Sequence, residues 1–182
     1  MFDTSDMGTS QVLAIGDDYS RKNDIQDIVL ATTKGNTALA AGDIFPKGMN
    51  IVAVTHSTGF IKENYQELEL SVHKKIEEKG IKILTSVMPF HSWNDHYRKR
   101  SGAVVPTTII ADTLRLFGQG TKVCVEIVMM ACDAGLIPQG KPVLAIAGTG
   151  KGADTVLSIV GCNSRKFFDM QILDVIAKPR SW

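Results

Sequence analysis

The stretch Pro142–Val156, PVLAIAGTGKGADTV, joins a short apolar run to three glycines at alternate positions. Its first part, Val143–Ala147, has the length and β-branched content of a buried strand. Each glycine lacks a Cβ, so a ligand oxygen can approach the backbone N–H groups closely, and Lys151 adds a cation. Open α/β sheets bind ligands at the carboxyl ends of their strands. We therefore predict a strand followed by an anion-binding loop, with an unoccupied tight turn as the alternative. The candidate binding residues are Gly148, Thr149, Gly150, Lys151, Gly152, Ala153, Asp154 and Thr155.

This glycine loop is close to two named nucleotide-binding patterns but fits neither of them. Gly148, Gly150 and Ala153 match part of the dinucleotide fingerprint, but that fingerprint must open a helix. Residues 154–160, DTVLSIV, are instead rich in β-branched residues and predict a strand. The pattern GxxxxGK[ST] fails because Gly152 follows Lys151. The loop is therefore predicted to bind a phosphate or carboxylate in another way.

The composition is that of one globular domain spanning residues 1–182. A chain of 182 residues with 44% hydrophobic content can bury a sizeable core, and no apolar run reaches the ~18 residues of a membrane span. Residues 1–8 carry no leader pattern and are predicted to form a frayed tail. Three cysteines suit reduced thiols in a cytoplasmic protein, and a net charge of +1 gives no electrostatic reason to bind nucleic acid. The expected partner is a small molecule, without membrane or nucleic acid, and the sequence leaves open a homo-oligomer.

Short strands alternate with helices along the chain. Strands are predicted at Asp27–Thr32, Asn50–Thr55 and Ile81–Thr85, and a last strand at Gln171–Ala177 is placed at an edge. The pair Asn64 and Glu67 resembles a capping box that would open the third helix. This alternation predicts a three-layer α/β fold, with a mainly parallel sheet and helices on both faces. Helices are predicted at residues 10–23, 37–45, 64–79, 106–117 and 121–134.

A second candidate anion site follows the first of these strands, in the sequence TTKGNTA. Asn36 is predicted to cap a helix from Thr37 to Phe45, so that the first backbone N–H groups and the positive end of the helix dipole face the end of the strand. Lys34 adds a full charge. The alternative is a plain strand-to-helix turn. The candidate residues here are Thr32, Thr33, Lys34, Gly35, Asn36 and Thr37.

Further candidates lie outside the two loops. Thr55 and His56 end the second strand, where His56 can bond a ligand or transfer a proton, although a lone histidine is more often structural. Glu126 lies within the apolar run VCVEIVMMA and is either a member of a buried ion pair, which we favour, or a site residue. Residues 86–102 are predicted to be a long irregular loop, either a flap over a ligand or a surface loop. His91, Asp95 and His96 have no recognised coordination spacing, so no metal site is predicted.

With these pieces in place, the chain resembles the C-terminal domain of pyruvate kinase, and more closely the free-standing proteins built from that domain alone. The resemblance rests on DIVLATTKGNTA, NIVAVTHSTGF, TLRLFGQGTKVCVEI, DAGLIPQG and PVLAIAGTGKGADT, which span roughly Asp27 to Val160. It implies the same α/β fold. It also implies a phosphate site, because the kinase domain is similar in binding a regulatory sugar bisphosphate through a TKSG-like loop and a glycine-rich loop. Thr33, Lys34 and Gly35 correspond to the first loop, and Gly148 to Thr155 to the second.

The resemblance also suggests a cofactor, because free-standing relatives are associated with flavin mononucleotide (FMN). It does not imply kinase activity, since the catalytic barrel alone needs ~250 residues. Our leading hypothesis is a domain that binds a phosphorylated small molecule, FMN first, between the two loops. A second hypothesis is an enzyme, flavin-assisted or other, that uses His56 or Glu126 for proton transfer. A third is a regulatory or assembly module that acts on a protein partner.

Overall fold

In the computed structural model, which describes residues 1–181, strands and helices alternate over most of the chain. The strands are β1 (Phe2–Asp3), β2 (Asp27–Ala31), β3 (Asn50–Val54), β4 (Lys82–Leu84), β5 (Pro142–Ala147), β6 (Thr155–Val160) and β7 (Ile172–Lys178). The α-helices are α1 (Thr9–Lys22), α2 (Asn36–Ile44), α3 (Leu70–Glu78), α4 (Ser92–Ser101), α5 (Pro106–Arg115) and α6 (Gln119–Asp133), and a 3-10 helix spans Ser164–Asp169.

The strands of residues 1–181 form one seven-stranded sheet in the order β1-β7-β6-β5-β2-β3-β4. Strands β2, β3, β4 and β5 are parallel, β6 is antiparallel to both of its neighbours, and β1 is parallel to β7. The register pairs Leu30 with Ile146 and Ala147 with Thr155. The carboxyl ends of β2 to β5 therefore meet at one edge, which we call the carboxyl edge, and β6 begins there.

Helices cover both faces of the sheet. On one face, Ile28, Leu30 and Ile146 pack against residues of α1, α2 and α3. On the other face, Val29 and Ala145 pack against α6 and its neighbours. Adjacent strand residues contribute to opposite clusters because successive side chains of a strand alternate between faces. The predicted fold class, a three-layer α/β fold with a mainly parallel sheet, is confirmed.

Helix α6 is a buried, central helix, as its nearly uniform apolar sequence predicts. Most of its residues are buried, as expected for a helix that is apolar almost all round. Gly135 follows it with a left-handed φ of 69°, and the N–H of Leu136 donates to the carbonyl of Ala131. These are the hydrogen bond and backbone conformation of a Schellman stop.

The prediction of a frayed tail at residues 1–8 is wrong. Phe2 and Asp3 form β1, which pairs in parallel with the end of β7. The hydroxyl of Thr4 donates to the carbonyl of Asp154 at 2.6 Å, and Thr4 is 2% exposed. The sequence had predicted that β7 would be an edge strand. In the structure β1 pairs with Ala177 and Lys178 of β7, so β1 is the outermost strand on that side.

Two other local predictions are wrong. Residues 92–101 of the predicted 86–102 loop form α4, where the side-chain amide of the buried Asn94 donates to the carbonyl of Phe90 at 2.9 Å. Helix α3 begins at Leu70 rather than at a capping box, because Asn64 has a left-handed φ of 57° and Glu67 instead pairs with a histidine. Across residues 1–181, no helix has the length and apolarity needed to cross a membrane.

Candidate functional site

The loop after β2 presents a run of unpaired backbone donors at the carboxyl edge. The N–H of Thr32 donates to the carbonyl of Val54 at 2.9 Å, which ties this point to β3. From Thr33 to Ala38, no backbone N–H has an acceptor within residues 1–181. The last of these groups belong to the first turn of α2, whose N–H groups have no partner inside the helix. The loop therefore offers several donors to one anion.

The predicted cap of α2 is wrong by one residue. Gly35, with a φ of 94°, is the N-cap, and Asn36 is the first helical residue. A Cβ on Gly35 would lie 2.4 Å from Cγ1 of Val72 and 3.0 Å from Cδ1 of Leu68. Both the backbone conformation and the close approach of these side chains therefore require glycine. The segment before α3 and α3 itself cover the loop from that side.

Two side chains add to this loop. Thr32 is 5% exposed, and its hydroxyl is buried without a hydrogen-bond partner within residues 1–181. A buried hydroxyl without a partner costs free energy, so such a group commonly marks the place of a missing water or ligand. Lys34 is exposed and forms no ion pair within the described residues. Thr33 is half-buried and Thr37 is buried.

The glycine loop, which joins β5 to β6, is held together by its own carboxylate. Asp154 accepts hydrogen bonds from the N–H of Thr149 at 3.0 Å, from the hydroxyl of Thr149 at 2.9 Å, and from the hydroxyl of Thr155 at 2.6 Å. Ala153 donates its N–H to the hydroxyl oxygen of Thr9 at 3.1 Å. Several donors that the sequence assigned to a ligand thus have partners within the protein. The N–H groups of Gly150, Lys151 and Gly152 have no acceptor within residues 1–181.

The start of α6 also reaches this loop, a contact that was not predicted from the sequence. A Cβ on Gly120 would lie 2.1 Å from the hydroxyl oxygen of Thr155 and 2.8 Å from Oδ1 of Asp154. The helix therefore begins directly against the loop, with the positive end of its dipole beside the Asp154 carboxylate. The glycines in the run GQGT were a signal for this close approach.

The two loops lie at the same edge on adjacent strands, as the sequence predicted. Their surroundings nevertheless differ. The glycine loop lines a cavity of about 240 Å³ with residues from both ends of the described chain, and none of residues 32–37 lines that cavity. The predicted set is thus brought to one edge but is not enclosed in one cavity.

At the end of β3, His56 is oriented by a carboxylate. Its Nδ1 lies 2.8 Å from Oε2 of Glu67, and its side chain is 33% exposed. Its ring stacks on Phe60 at a centroid distance of 4.2 Å, and Phe60 contacts His91 at 4.9 Å. Burial, and then the positive charge of Lys122, lower the pKa of His91 below its ordinary value. The hydroxyl of Thr55 lies 2.6 Å from that of Thr85 and is bonded within the protein.

Glu126 belongs to a buried ion pair, which confirms the favoured interpretation. It pairs with Lys122 one helical turn earlier, and both side chains are almost fully buried. Its other oxygen accepts the N–H of Phe90 at 2.7 Å. Burial lowers the pKa of Lys122 despite the neighbouring carboxylate. The spacing of four residues in KVCVE was the available signal, because residues i and i+4 share a helix face.

The comparisons with known proteins agree with this architecture. The model of the family described as "Pyruvate kinase, alpha/beta domain" matches residues 18–159. The chain belongs to this family. The match includes both loops, His56 and Glu126, and it leaves outside residues 1–17 and all of β7.

The chain also has a likeness to solved pyruvate kinases. A Cryptosporidium parvum pyruvate kinase in complex with ADP is 17% identical, with a TM-score of 0.42, over 93% of this chain and 24% of that chain. A second structure of a pyruvate kinase from the same organism is 18% identical, with a TM-score of 0.40, over 93% and 23%. This member of the family thus spans about a quarter of the length of the kinases it matches.

Proposed function

We propose that this pyruvate kinase alpha/beta domain protein binds a phosphorylated small molecule at the carboxyl edge, with FMN as the first ligand to test. The observation that supports this proposal is a pair of neighbouring backbone segments, residues 33–38 and 150–152, whose N–H groups have no protein acceptor within residues 1–181. Successive free amides in turn conformations form concavities that bind anions. A phosphate group accepts several hydrogen bonds at once, so it suits such donors.

The charges near these amides favour an anion. Lys34 and Lys151 are exposed and form no ion pairs within residues 1–181, and the positive end of the α2 dipole adds to their field. Asp154 opposes it, but its oxygens already accept three hydrogen bonds. A doubly charged phosphate is therefore expected to bind with a marked dependence on salt concentration.

Isothermal titration calorimetry with FMN and with fructose bisphosphate tests the proposal. The matched variants are Gly150→Val and Gly48→Val. Both glycines have a positive φ, 102° and 97°, and neither has an atom within 4 Å of an added Cβ. Gly48, however, lies before β3, at the opposite edge of the sheet. We expect Gly150→Val to weaken binding at least tenfold and Gly48→Val to leave it unchanged. Folded wild-type protein that gives no heat with either compound would contradict the proposal.

The lysines provide a second pair of variants. Lys151→Met removes an unpaired charge from the glycine loop, whereas Lys74→Met removes an exposed charge from α3. Loss of one exposed charge near the phosphate should weaken binding severalfold at low salt, and less at high salt. Equal affinities of the two variants at low salt would argue against a phosphate beside Lys151.

An enzyme is the second candidate, and the geometry favours His56 over Glu126 for proton transfer. His56 is partly exposed and its Nδ1 is held by Glu67, whereas Glu126 is buried in its ion pair. A histidine fixed by a carboxylate through one nitrogen can transfer a proton at the other. In the flavin-assisted version, the purified protein should absorb in the flavin bands and bleach with a reducing donor. A colourless protein that shows no redox activity after FMN is added would exclude the flavin-assisted enzyme.

A further inference from the structure

The outward face of α4 carries aromatic and basic side chains. Trp93, His96, Tyr97 and Arg100 are exposed and follow the spacing i, i+3, i+4, i+7 of a single helix face. Trp93 is 62% exposed, and Tyr97 is also among the exposed large side chains. The opposite face is held to the domain by the buried Asn94. The outward face, which we call the α4 patch, is therefore left uncovered by residues 1–181.

Helix α4 is positively charged. Arg98 and Lys99 both pair with Asp95, at 3.0 and 2.5 Å, so two cations share one carboxylate. Arg100 forms no ion pair within residues 1–181. Three cations and one carboxylate leave the helix with a net charge of +2, and the unpaired cation lies on the same face as the exposed aromatic rings. Tryptophan, tyrosine and arginine are the residues most enriched at the energetic centres of protein interfaces. The α4 patch thus has the composition of a protein-binding surface.

A loop of opposite charge lies against the start of α4. This segment, residues 57–70, contains three glutamates and one lysine, which give a net charge of −2, and we call it the acidic loop. It also exposes apolar surface, because Ile61 is 61% exposed and Tyr65 is exposed as well. The ring of Phe60 lies 4.9 Å from that of His91, the residue that precedes α4. Two surfaces of opposite charge, each with exposed apolar side chains, therefore lie side by side.

This adjacency favours a second copy of the chain as the partner. In a two-fold symmetric dimer, a surface of one copy that contacts a second surface of its partner receives the reciprocal contact at the same time. The α4 patch of one copy can face the acidic loop of the other, and both contacts then join opposite charges. An anionic membrane or a nucleic acid would instead meet the glutamates of the acidic loop beside the α4 patch. Together the two segments fall within the ~20–30 residues that each side of a standard interface contributes.

We propose that this face is the interface of a homodimer, in which the α4 patch of each copy contacts the acidic loop of the other. Trp93 and Tyr97 become buried between the two copies and supply most of the affinity. Arg100 and the glutamates of the acidic loop set the orientation and the choice of partner. This inference is independent of the proposed function, because it uses neither of the two anion-binding loops.

Sedimentation velocity of the full chain tests the dimer. We expect a species with twice the 19.8 kDa mass of one chain, which dissociates on dilution and at high salt. Trp93→Ala should weaken the dimer at least tenfold without a change in the circular dichroism spectrum, because Trp93 is exposed in the single chain. Phe168→Ala removes an equally exposed aromatic ring from the 3-10 helix and should leave the dimer unchanged. A wild-type protein that stays monomeric at its highest soluble concentration, or a dimer that Trp93→Ala does not weaken, overturns the proposal.

Charge reversal tests the reciprocal contact. Arg100→Glu and Glu63→Arg each bring like charges together across the interface, so each variant alone should dimerise at least tenfold more weakly at low salt. An equimolar mixture of the two variants should form a heterodimer, because both contacts then join opposite charges. Arg165→Glu, at an exposed arginine of the 3-10 helix, is the matched control and should have no effect. A mixture that dimerises no better than the separate variants overturns the reciprocal arrangement.

A membrane is the other occupant that an aromatic and basic helix face can have. Co-sedimentation of the wild-type protein with vesicles that contain phosphatidylserine separates the two cases. We expect no binding, because the acidic loop lies beside the α4 patch. A monomeric protein that binds these vesicles, and that loses this binding in Trp93→Ala, would assign the α4 patch to a membrane surface and overturn the dimer.

Discussion

Replacement of Gly35 by alanine should separate the two reasons for a glycine at the start of α2. The φ of 94° costs an L-residue about 1–2 kcal/mol, and the added Cβ would lie 2.4 Å from Cγ1 of Val72, which requires the Val72 side chain or the helix that carries it to shift. Overpacking of this kind costs about 1–3 kcal/mol. The sum is a loss of about 2–5 kcal/mol in the free energy of unfolding.

Gly48→Ala is the matched control, because Gly48 has a φ of 97° and no atom lies within 4 Å of the added Cβ. It should cost only the backbone contribution of about 1–2 kcal/mol. Replacing glycine with alanine also lowers the conformational entropy of the unfolded chain. This effect is the same in both variants and cancels when they are compared. Urea titrations followed by circular dichroism give both values from the midpoint and slope. Losses equal within about 0.5 kcal/mol would refute the claim that Val72 and its neighbours pack against this loop.

Three further changes test the buried charges and the glycine loop. Lys122→Met leaves Glu126 buried without a cation, so it should lower the free energy of unfolding by about 3–5 kcal/mol in urea titrations. Adding Glu126→Gln should recover most of this loss, because the glutamine carbonyl can still accept the N–H of Phe90. Equal losses in the single and double variants would exclude this coupling. The pKa of His91 is lower in the folded protein than the ordinary value of 6.5, so between these two values the unfolded chain binds more protons than the folded one. The free energy of unfolding should therefore fall as the pH falls through that window, by at most about 1.4 kcal/mol per pH unit. His91→Asn should abolish that part of the pH dependence, and an unchanged profile would contradict it. Asp154→Asn removes a negative charge beside the free amides and should tighten FMN binding about fivefold at low salt in calorimetry, whereas weaker binding would show that the carboxylate is needed mainly to shape the loop.

The elements that the sequence predicted well are those whose patterns depend on a single periodicity. Strand β5 is a continuous apolar run, and α6 is apolar all round with a glycine stop, so each pattern has one structural solution. The N-terminal strand was missed because β1 has only two residues, too short for any periodicity. Its position depends on pairing with β7, a contact between the two ends of the chain that no local pattern reports.

The positions of the candidate site residues were predicted from topology, but their partners were not. That residues 33–37 and 148–155 meet at one edge follows from parallel strands, whose carboxyl ends lie together. The pairing of His56 with Glu67 was missed because Glu67 was assigned to a helix cap, and a side chain in an irregular segment has no fixed direction from sequence. The cavity at the glycine loop was missed for a related reason, since its other walls come from segments 4–9 and 179–181.

The carboxylate of Asp154 explains how a loop with so many glycines stays folded without a ligand. It accepts from Thr149 and Thr155 and faces the start of α6, so these donors are satisfied within the protein. The amides of residues 150–152 remain without acceptors in residues 1–181. An incoming phosphate therefore does not need to displace the carboxylate, and it meets the loop at its solvent side beside Lys151. Binding at that position leaves the phosphate partly in water, so we infer an affinity that depends on additional contacts between the protein and the rest of the ligand.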